Sequence, residues 1–302
     1  MNSCPDYKKN EIICTRHIYR KTTIIRTMTD LIKTIHSISK FPPPDLIRTV
    51  IYLYATREFV IRAASIGYMV TDKKNIFLCF STRHPYSNCT QNLEFVLVRN
   101  DGTPCGLILG ISPQGLTPRG TKQFVSSSEA LFHFFKAKHN SIESLALLAM
   151  TPSKAAKESE KVTIEFAKNM SLEESLVFWN ITGKFVAMLI AILCKLTAYE
   201  EISALLTKNI LDNIYPCEVQ QYNDAWTLNT GDNLLSGVLV TACYLKLEHP
   251  EKSLSKLFEM IITSSINEIN YPEHYIQLQN HFLSVTSKIV SVEKIKREKN
   301  YY

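Results

Sequence analysis

Glycine is scarce in this chain, with 9 residues among 302, which is below average usage. Nucleotide-binding folds use glycine in the tight turns that hold phosphate groups, because a side chain there blocks the approach of the backbone. Residues 110–117 have the glycine spacing of such a loop, but Leu116 stands where the phosphate-binding lysine belongs. The sequence therefore disfavours a nucleotide-binding enzyme and favours a mainly helical protein.

Metal-ligand and catalytic motifs are missing as well. The chain has 8 cysteines but no C-x-x-C pair, and structural zinc sites usually take two ligands from one such turn. Its 8 histidines form no H-E-x-x-H pattern, and no G-x-S-x-G nucleophile turn occurs. We therefore expect a protein that is not an enzyme and that has no metal, no cofactor and no catalytic residues.

Long hydrophobic segments are also lacking. The longest apolar run covers 185–194, between Lys184 and Lys195, and is about half as long as a transmembrane helix needs to be. The first 21 residues are charged and lack the apolar core of a signal peptide. These features predict no membrane association and a reducing intracellular environment, in which the thiols stay free.

Positive charge is concentrated at the two ends of the chain. The formal net charge is +6, of which +5 lies in residues 1–48 and +3 in 288–302, so the middle carries −2. The basic ends are interpreted either as solvated, solubilising segments or as a surface for a polyanion or an acidic partner. Basic side chains interleaved with aromatic rings are typical of single-strand binding. The candidate residues are Arg16, Arg20, Lys21 and Arg26.

Apolar periodicity predicts a series of helices. Apolar residues recur every three or four positions over 21–39, the prolines of 42–44 end this helix, and a second helix follows over 46–64. Ser171 and Glu174 have the spacing of a capping box, which predicts the start of a helix that runs to 196. Further helices are expected from 128 or 129, from 141 to about 151, and over 198–213, 234–247, 253–269 and 272–293.

Short apolar runs at 75–80, 93–99 and 105–111, with a turn at 100–102, predict one small antiparallel hairpin unit. Residues 112–128 are predicted to be a loop. The expected fold is therefore mainly α, a multi-helix globular protein with one β-hairpin unit at about 75–111 and two packed helical subdomains. These are an N-terminal subdomain over 1–150, a connecting segment over 151–170, of which 154–161 is a linker or an exposed helix, and a C-terminal subdomain over 171–302 with a basic tail.

Four segments resemble one viral protein family. They are KHNSIESLALLAMTPS at 138–153, ILCKL at 192–196, HPEKSLSKLFE at 249–259 and PEHYIQLQNH at 272–281. These segments resemble the gammaherpesvirus lytic-cycle proteins that are encoded by open reading frame 49, a family whose Epstein–Barr virus member is a transcriptional activator of lytic entry. The matching positions are spaced leucines, aromatics and an occasional histidine or proline, so the resemblance indicates a lineage and designates no site.

The resemblance implies a non-enzymatic regulator that enhances the viral replication and transcription activator by binding a host repressor such as poly(ADP-ribose) polymerase. It also implies a connection to the stress-kinase route to c-Jun, residence in the host nucleus and cytoplasm, and presence in the virion tegument. Two other functions remain open at this point. One is a viral nucleic-acid-binding protein of nucleocapsid type, which the basic ends suggest, and the other is a tegument scaffold.

An adaptor, meaning a regulator that binds a repressor protein, and a nucleic-acid-binding protein differ in how their affinity for a single strand depends on salt. A basic surface that binds a single strand releases counterions, so its affinity falls steeply as salt rises. For an adaptor we expect only weak binding of a single-stranded oligonucleotide, measured by fluorescence titration at two salt concentrations. Tight binding with a steep salt slope contradicts the adaptor function and favours the nucleocapsid type.

Overall fold

The computed structural model describes residues 69–72, 75–80, 93–100, 121–137, 142–161, 166–212, 214–218 and 234–295. Several expectations from the sequence lie outside the described residues. These are the helices over 21–39 and 46–64, the strand at 105–111, the basic tail beyond 295, and the candidate surface of Arg16, Arg20, Lys21 and Arg26.

The described elements are mostly helices. The helices are α1 (Ser128–Lys136), α2 (Ile142–Ala149), α3 (Pro152–Ser159), α4 (Leu172–Phe178), α5 (Lys184–Ala198), α6 (Glu200–Leu211), α7 (Leu234–Glu248), α8 (Leu254–Ser265) and α9 (Tyr275–Thr286). The strands are β1 (Met69–Asp72), β2 (Asn75–Phe80), β3 (Phe95–Arg99), β4 (Thr121–Val125), β5 (Ile214–Glu218) and β6 (Ile289–Lys294). The mainly α fold with a small antiparallel sheet is confirmed.

Helix α5 is the centre of the core. Every residue from Phe185 to Leu196 is buried, and a helix that is apolar on all sides must be covered on all sides. The cover comes from α1, α6, α7 and α8 and from strands β3 and β6. One hydrophobic cluster contains buried side chains from along the described chain, the first of them Phe95 and the last Val292. The described residues on either side of 151–170 thus share a core, while the division into two subdomains stays a prediction.

Helices α4 and α5 form one continuous helical stretch, joined by a π-helical turn at Trp179–Gly183. Gly183 has a packing role in this turn, because a Cβ atom there would lie 3.0 Å from Phe178 Cε1 and 3.0 Å from Trp179 Cε3. The stretch Leu172–Ala198 has 27 residues and, within the described part of the chain, is the helix long and apolar enough to span a membrane. Of its most apolar window, 72% is buried inside the protein, as expected for a core helix.

The strands form two small sheets. In the first, β1 and β2 pair antiparallel, and β5 pairs parallel to β2 with Tyr215 opposite Phe77. In the second, β3 lies between β4 and β6 in a wholly antiparallel arrangement, with Phe95 opposite both Val125 and Lys294. The sequence pattern predicts one unit for 75–80 and 93–99, whereas the structure has β2 and β3 in different sheets.

A buried lysine and a tyrosine attach the start of β3 to the end of α5. The Lys195 ammonium is fully buried, donates to the Leu93 carbonyl and lies 5.0 Å from the centre of the Phe95 ring. The Tyr199 hydroxyl donates to the Glu94 carbonyl. Cations over aromatic faces and charged hydrogen bonds offset the cost of burying the ammonium. Residues that are about 100 positions apart are joined in this way.

Two sequence predictions of local structure were wrong. Within 112–128, predicted as a loop, residues 121–125 form β4, while 112–120 lie outside the described residues. The sequence pattern missed this strand because its buried middle position is held by the polar Gln123, which hides the alternation. The predicted helix over 272–293 ends at Thr286, and 289–294 form β6. Ile289 and Val292 are three positions apart, which is a helical spacing. Pairing with the distant β3 makes this segment a strand, and a register shift in that pairing accompanies the burial of both residues.

Other predictions agree with the structure. Helix α1 begins at the predicted residue, and α2, α6, α7 and α8 begin and end within four residues of their predicted bounds. Most of 154–161 belongs to helix α3, in agreement with the exposed-helix alternative. Cys194 and Cys243 are free thiols, as expected. Burial raises the pKa of Cys194 above its usual range and that of Cys243 to about 12, so neither thiol is a nucleophile at neutral pH.

The close packing at Gly183 predicts a large penalty for a bulkier residue. We expect Gly183→Val to lower the free energy of unfolding by about 1–3 kcal/mol, because the new side chain would push against the buried Phe178 and Trp179 rings. Urea denaturation measures this change. Ala204→Val, at an exposed position of α6, is the matched control and should cost less than about 0.5 kcal/mol. Equal effects of the two substitutions contradict the packing argument.

Candidate interaction surface

The described residues contain one arrangement that resembles a catalytic triad. Ser159 Oγ lies 2.9 Å from His133 Nδ1, and Glu129 Oε1 lies 4.0 Å from His133 Nε2. The Ser159 hydroxyl also donates to the Ala156 carbonyl at 2.8 Å. Because a hydroxyl has a single hydrogen, His133 Nδ1 must carry the proton of the bond to Ser159. A nitrogen that already bears a hydrogen does not remove one from the serine.

Burial supports a structural role for this group. Ser159 is 2% exposed, so a substrate does not reach its hydroxyl. Burial and, to a lesser extent, the charge of Lys136 lower the pKa of His133 to about 4. The histidine is thus neutral at pH 7 and connects α1 to α3 through a hydrogen bond. The arrangement stabilises helix packing and is not suited to nucleophilic catalysis.

A second polar pair lies at the end of α7. Both carboxylate oxygens of Glu248 are buried without a hydrogen-bond partner, and His249 Nε2 lies 4.0 Å from one of them. Two side chains are fewer than a protein usually supplies to a bound divalent metal ion. Within the described ranges no group of three or more His, Cys, Asp or Glu side chains is placed to hold a metal ion. This pair therefore indicates no metal centre.

His281 belongs to the core and not to a site on the surface. Its Nε2 lies 2.9 Å from the Phe135 carbonyl oxygen, and since a carbonyl only accepts, Nε2 carries the hydrogen. Its ring also meets the Phe166 ring edge-on at 4.9 Å. Burial lowers the pKa of His281 to about 4, although the hydrogen bond to Phe135 acts in the opposite direction. The histidine therefore packs as a neutral ring that joins α9 to α1.

The strongest candidate site is instead on the outer side of α4. The sequence positions this helix through the predicted capping box, which the structure confirms: Ser171 Oγ accepts from the Glu174 backbone N–H, and Glu174 Oε2 accepts from the Ser171 N–H at 2.8 Å. Hydrogen bonds from Ser171 lower the pKa of the Glu174 carboxyl, and His274 adds a weaker effect of the same sign. A negative charge at this helix start is also favoured by the helix dipole.

Aromatic packing holds the inner side of α4 against the turn that precedes α9. The Phe178 ring meets the Tyr271 ring edge-on with 5.3 Å between centres, and the Tyr271 and Thr182 hydroxyls share a hydrogen bond. The Lys168 backbone N–H donates to Gln277 Oε1 at 2.6 Å. These contacts place α4 and residues 268–277 side by side.

The outward sides of these neighbouring segments are apolar. Ten large hydrophobic side chains are exposed in the described part of the chain, and five of them lie here, so half of the exposed apolar groups are concentrated in two segments that touch. Ile269 is 92% exposed, Leu172 64%, Ile276 56% and Val177 51%. We define the α4 surface as the following residues: Leu172, Glu173, Leu176, Val177, Ile269, Glu273 and Ile276.

The same surface is acidic. Segments 168–180 and 268–277 contain four glutamates and one lysine. Glu173, Glu174, Glu268 and Glu273 are all exposed. Exposed apolar side chains that are concentrated in one region and interspersed with charged groups are typical of a surface that binds another protein. The arrangement lacks the positive charge that nucleic-acid phosphates require.

Sequence reasoning did not find this surface. Its predicted candidates, Arg16, Arg20, Lys21 and Arg26, lie outside the described residues. One signal was available in the sequence: Leu172, Leu176 and Val177 lie beside Glu173 at the start of an otherwise buried helix. Without the fold, however, these leucines look like part of the apolar side that faces the core.

Comparisons of the chain with protein-family models, with curated proteins and with solved structures find no match. The residues themselves are therefore the basis for any functional conclusion.

The buried histidines predict a loss of stability in mild acid. His281 is neutral when folded but takes up a proton in the unfolded chain below its ordinary pKa of 6.5, so acid favours unfolding. Between pH 7 and pH 5 this group alone should lower the free energy of unfolding by roughly 2 kcal/mol. Urea denaturation at the two pH values measures the loss.

His281→Gln provides the test, because an amide still donates a hydrogen bond but does not titrate. We expect this variant to lose about 2 kcal/mol less than the parent protein between pH 7 and pH 5. His133→Gln is the matched variant, since the pKa of His133 is lowered in the same direction. An unchanged pH dependence in both variants contradicts this assignment.

Proposed function

We propose that the protein is a non-enzymatic regulator of a viral lytic cycle that enhances the viral replication and transcription activator by binding a host repressor, with poly(ADP-ribose) polymerase as the first candidate. The proposal rests on the resemblance at 138–153, 192–196, 249–259 and 272–281. It places the protein in the host nucleus and cytoplasm and includes a link to the stress-kinase route to c-Jun and a presence in the virion tegument.

The positions of these four segments agree with a shared lineage. Their described apolar residues are largely core residues, such as Leu148, Leu193, Phe258 and Leu278. Core side chains determine how helices pack, so a resemblance confined to them is typical of proteins with a common fold and different surfaces. The segments therefore support a family relationship without identifying contact residues.

The observation that favours protein binding is the α4 surface. The polar groups that lie near each other in the core, such as His133 and Ser159, are used in packing, whereas exposed apolar side chains are concentrated on α4 and 268–277. Binding a repressor requires a fixed surface that is complementary to a partner, not a reactive group. The geometry thus supports a binding protein better than an enzyme.

Two alternatives remain in view. A nucleic-acid-binding protein of nucleocapsid type is favoured only by the basic ends of the sequence. A tegument scaffold is compatible with any protein-binding surface and predicts self-association or capsid partners.

Affinity purification from infected cells, with and without nuclease treatment, tests the proposal. We expect the host polymerase to be recovered with the tagged protein in both conditions, because a direct protein contact does not depend on nucleic acid. Recovery that disappears with nuclease indicates bridging and supports the nucleic-acid alternative. Recovery of capsid components without the polymerase supports the scaffold.

The basic residues near the N-terminus are tested in the same assay. Poly(ADP-ribose) polymerase can carry a long anionic polymer, and Arg16, Arg20, Lys21 and Arg26 are candidates to contact that polymer or an acidic segment of the enzyme. Reversing these four charges to glutamate should reduce recovery of the polymerase several-fold, because like charges then face each other. Unchanged recovery contradicts a role for these residues but not the proposed function.

A further inference from the structure

We infer that the α4 surface binds a basic amphipathic helix of another protein. The inference deepens the proposed function and rests on its premise that this chain works by binding a protein. It specifies where the partner binds and what chemistry the partner brings.

The apolar residues of the α4 surface come from both segments. On α4, Leu172 and Leu176 are four positions apart and share one side of the helix, whereas Val177 lies about 100° further round, with Glu173 between them. All three side chains are exposed, while Ser175 and Phe178 are buried. On α9, Ile276 is exposed while Leu278 is buried. Two neighbouring segments thus present apolar side chains outward, and an amphipathic helix buries its own apolar side against such an arrangement.

The charges specify the partner further. Glu173 and Glu273 lie on the two segments, beside Leu172 and Ile276, and the pKa of the nearby Glu174 is lowered by its capping bonds, so its carboxylate is ionised at neutral pH. Carboxylates interspersed with exposed apolar side chains attract a partner that carries both apolar side chains and lysine or arginine. A basic amphipathic helix has this combination.

Charge also argues against other occupants. In a symmetric dimer the same surface faces itself, which would bring the glutamates of one copy against those of the other. An anionic membrane and a nucleic acid are repelled for the same reason. A basic helix of a different protein satisfies both the apolar groups and the carboxylates.

Fluorescence anisotropy with defined peptides tests the inference on the full-length protein. The probe is a labelled 14-residue peptide of leucine and lysine with the leucines on one helical side. One control peptide replaces each lysine by glutamate, and another contains lysine alone. We expect the leucine–lysine peptide to bind and each control peptide to bind at least about tenfold more weakly, which is roughly 1.4 kcal/mol.

Paired variants locate the binding. Leu172→Ser with Val177→Ser removes apolar groups from the α4 surface, and Glu173→Lys with Glu273→Lys reverses its charge. The matched control for the first pair is Leu205→Ser with Leu211→Ser, because these side chains of α6 are 46% and 61% exposed. Asp212→Lys, at the end of α6, is the control for charge. Thermal unfolding confirms that each variant is folded.

We expect each α4 pair to weaken peptide binding about tenfold, and the α6 variants to change it less than twofold. Equal binding by all variants, absence of binding, or equal affinity for the acidic peptide overturns the inference.

Polymerase recovery with the same variants separates the two proposals. If the polymerase is recovered equally with the parent protein and the α4 variants, the inference fails and the proposed function stands. If the α4 variants weaken peptide binding but the polymerase is not recovered with the parent protein, the α4 surface is confirmed as a binding site and the polymerase is excluded as the partner.

Discussion

The structure depends on the burial of α5 from every side. A helix without a polar side has no orientation in which part of it faces water, so other elements must surround it completely. Helices from both halves of the described chain, together with β3 and β6, provide this cover. The arrangement brings together segments that are far apart in the sequence. It also explains why a helical stretch with the length of a membrane span lies inside a protein core.

Complete burial determines how the polar groups of the core are used. Lys195, Tyr199 and His281 each bond to a backbone carbonyl that lies more than 100 residues away in the sequence. An unpaired polar group in the interior is costly, so each of these bonds also fixes the position of a distant segment. Such groups resemble reactive sites when they are viewed alone. In this protein they act as connections between elements.

The evidence for the proposed function comes from two sets of residues, one in the core and one on the surface. The segments on which the proposed family relationship rests are largely core, whereas the exposed apolar residues of α4 lie outside those segments. Five of the exposed apolar side chains lie on two segments that the aromatic contact of Phe178 with Tyr271 holds together. The proposed partner-binding function therefore depends on a surface that lies beside the four resembling segments and only partly overlaps them.

The sequence by itself determined the helical class, most helix positions and the capping box at Ser171, because apolar spacing and capping are local properties. It did not determine the partners of β3, the strand at 289–294 or the strand inside 112–128, since strand pairing depends on residues far away in the chain. The α4 surface also depends on the tertiary structure, because contacts between distant residues determine which side of α4 is exposed. Leu172 and Val177 look like core residues in the sequence, and only the packing of Phe178 and Tyr271 shows that they face outward.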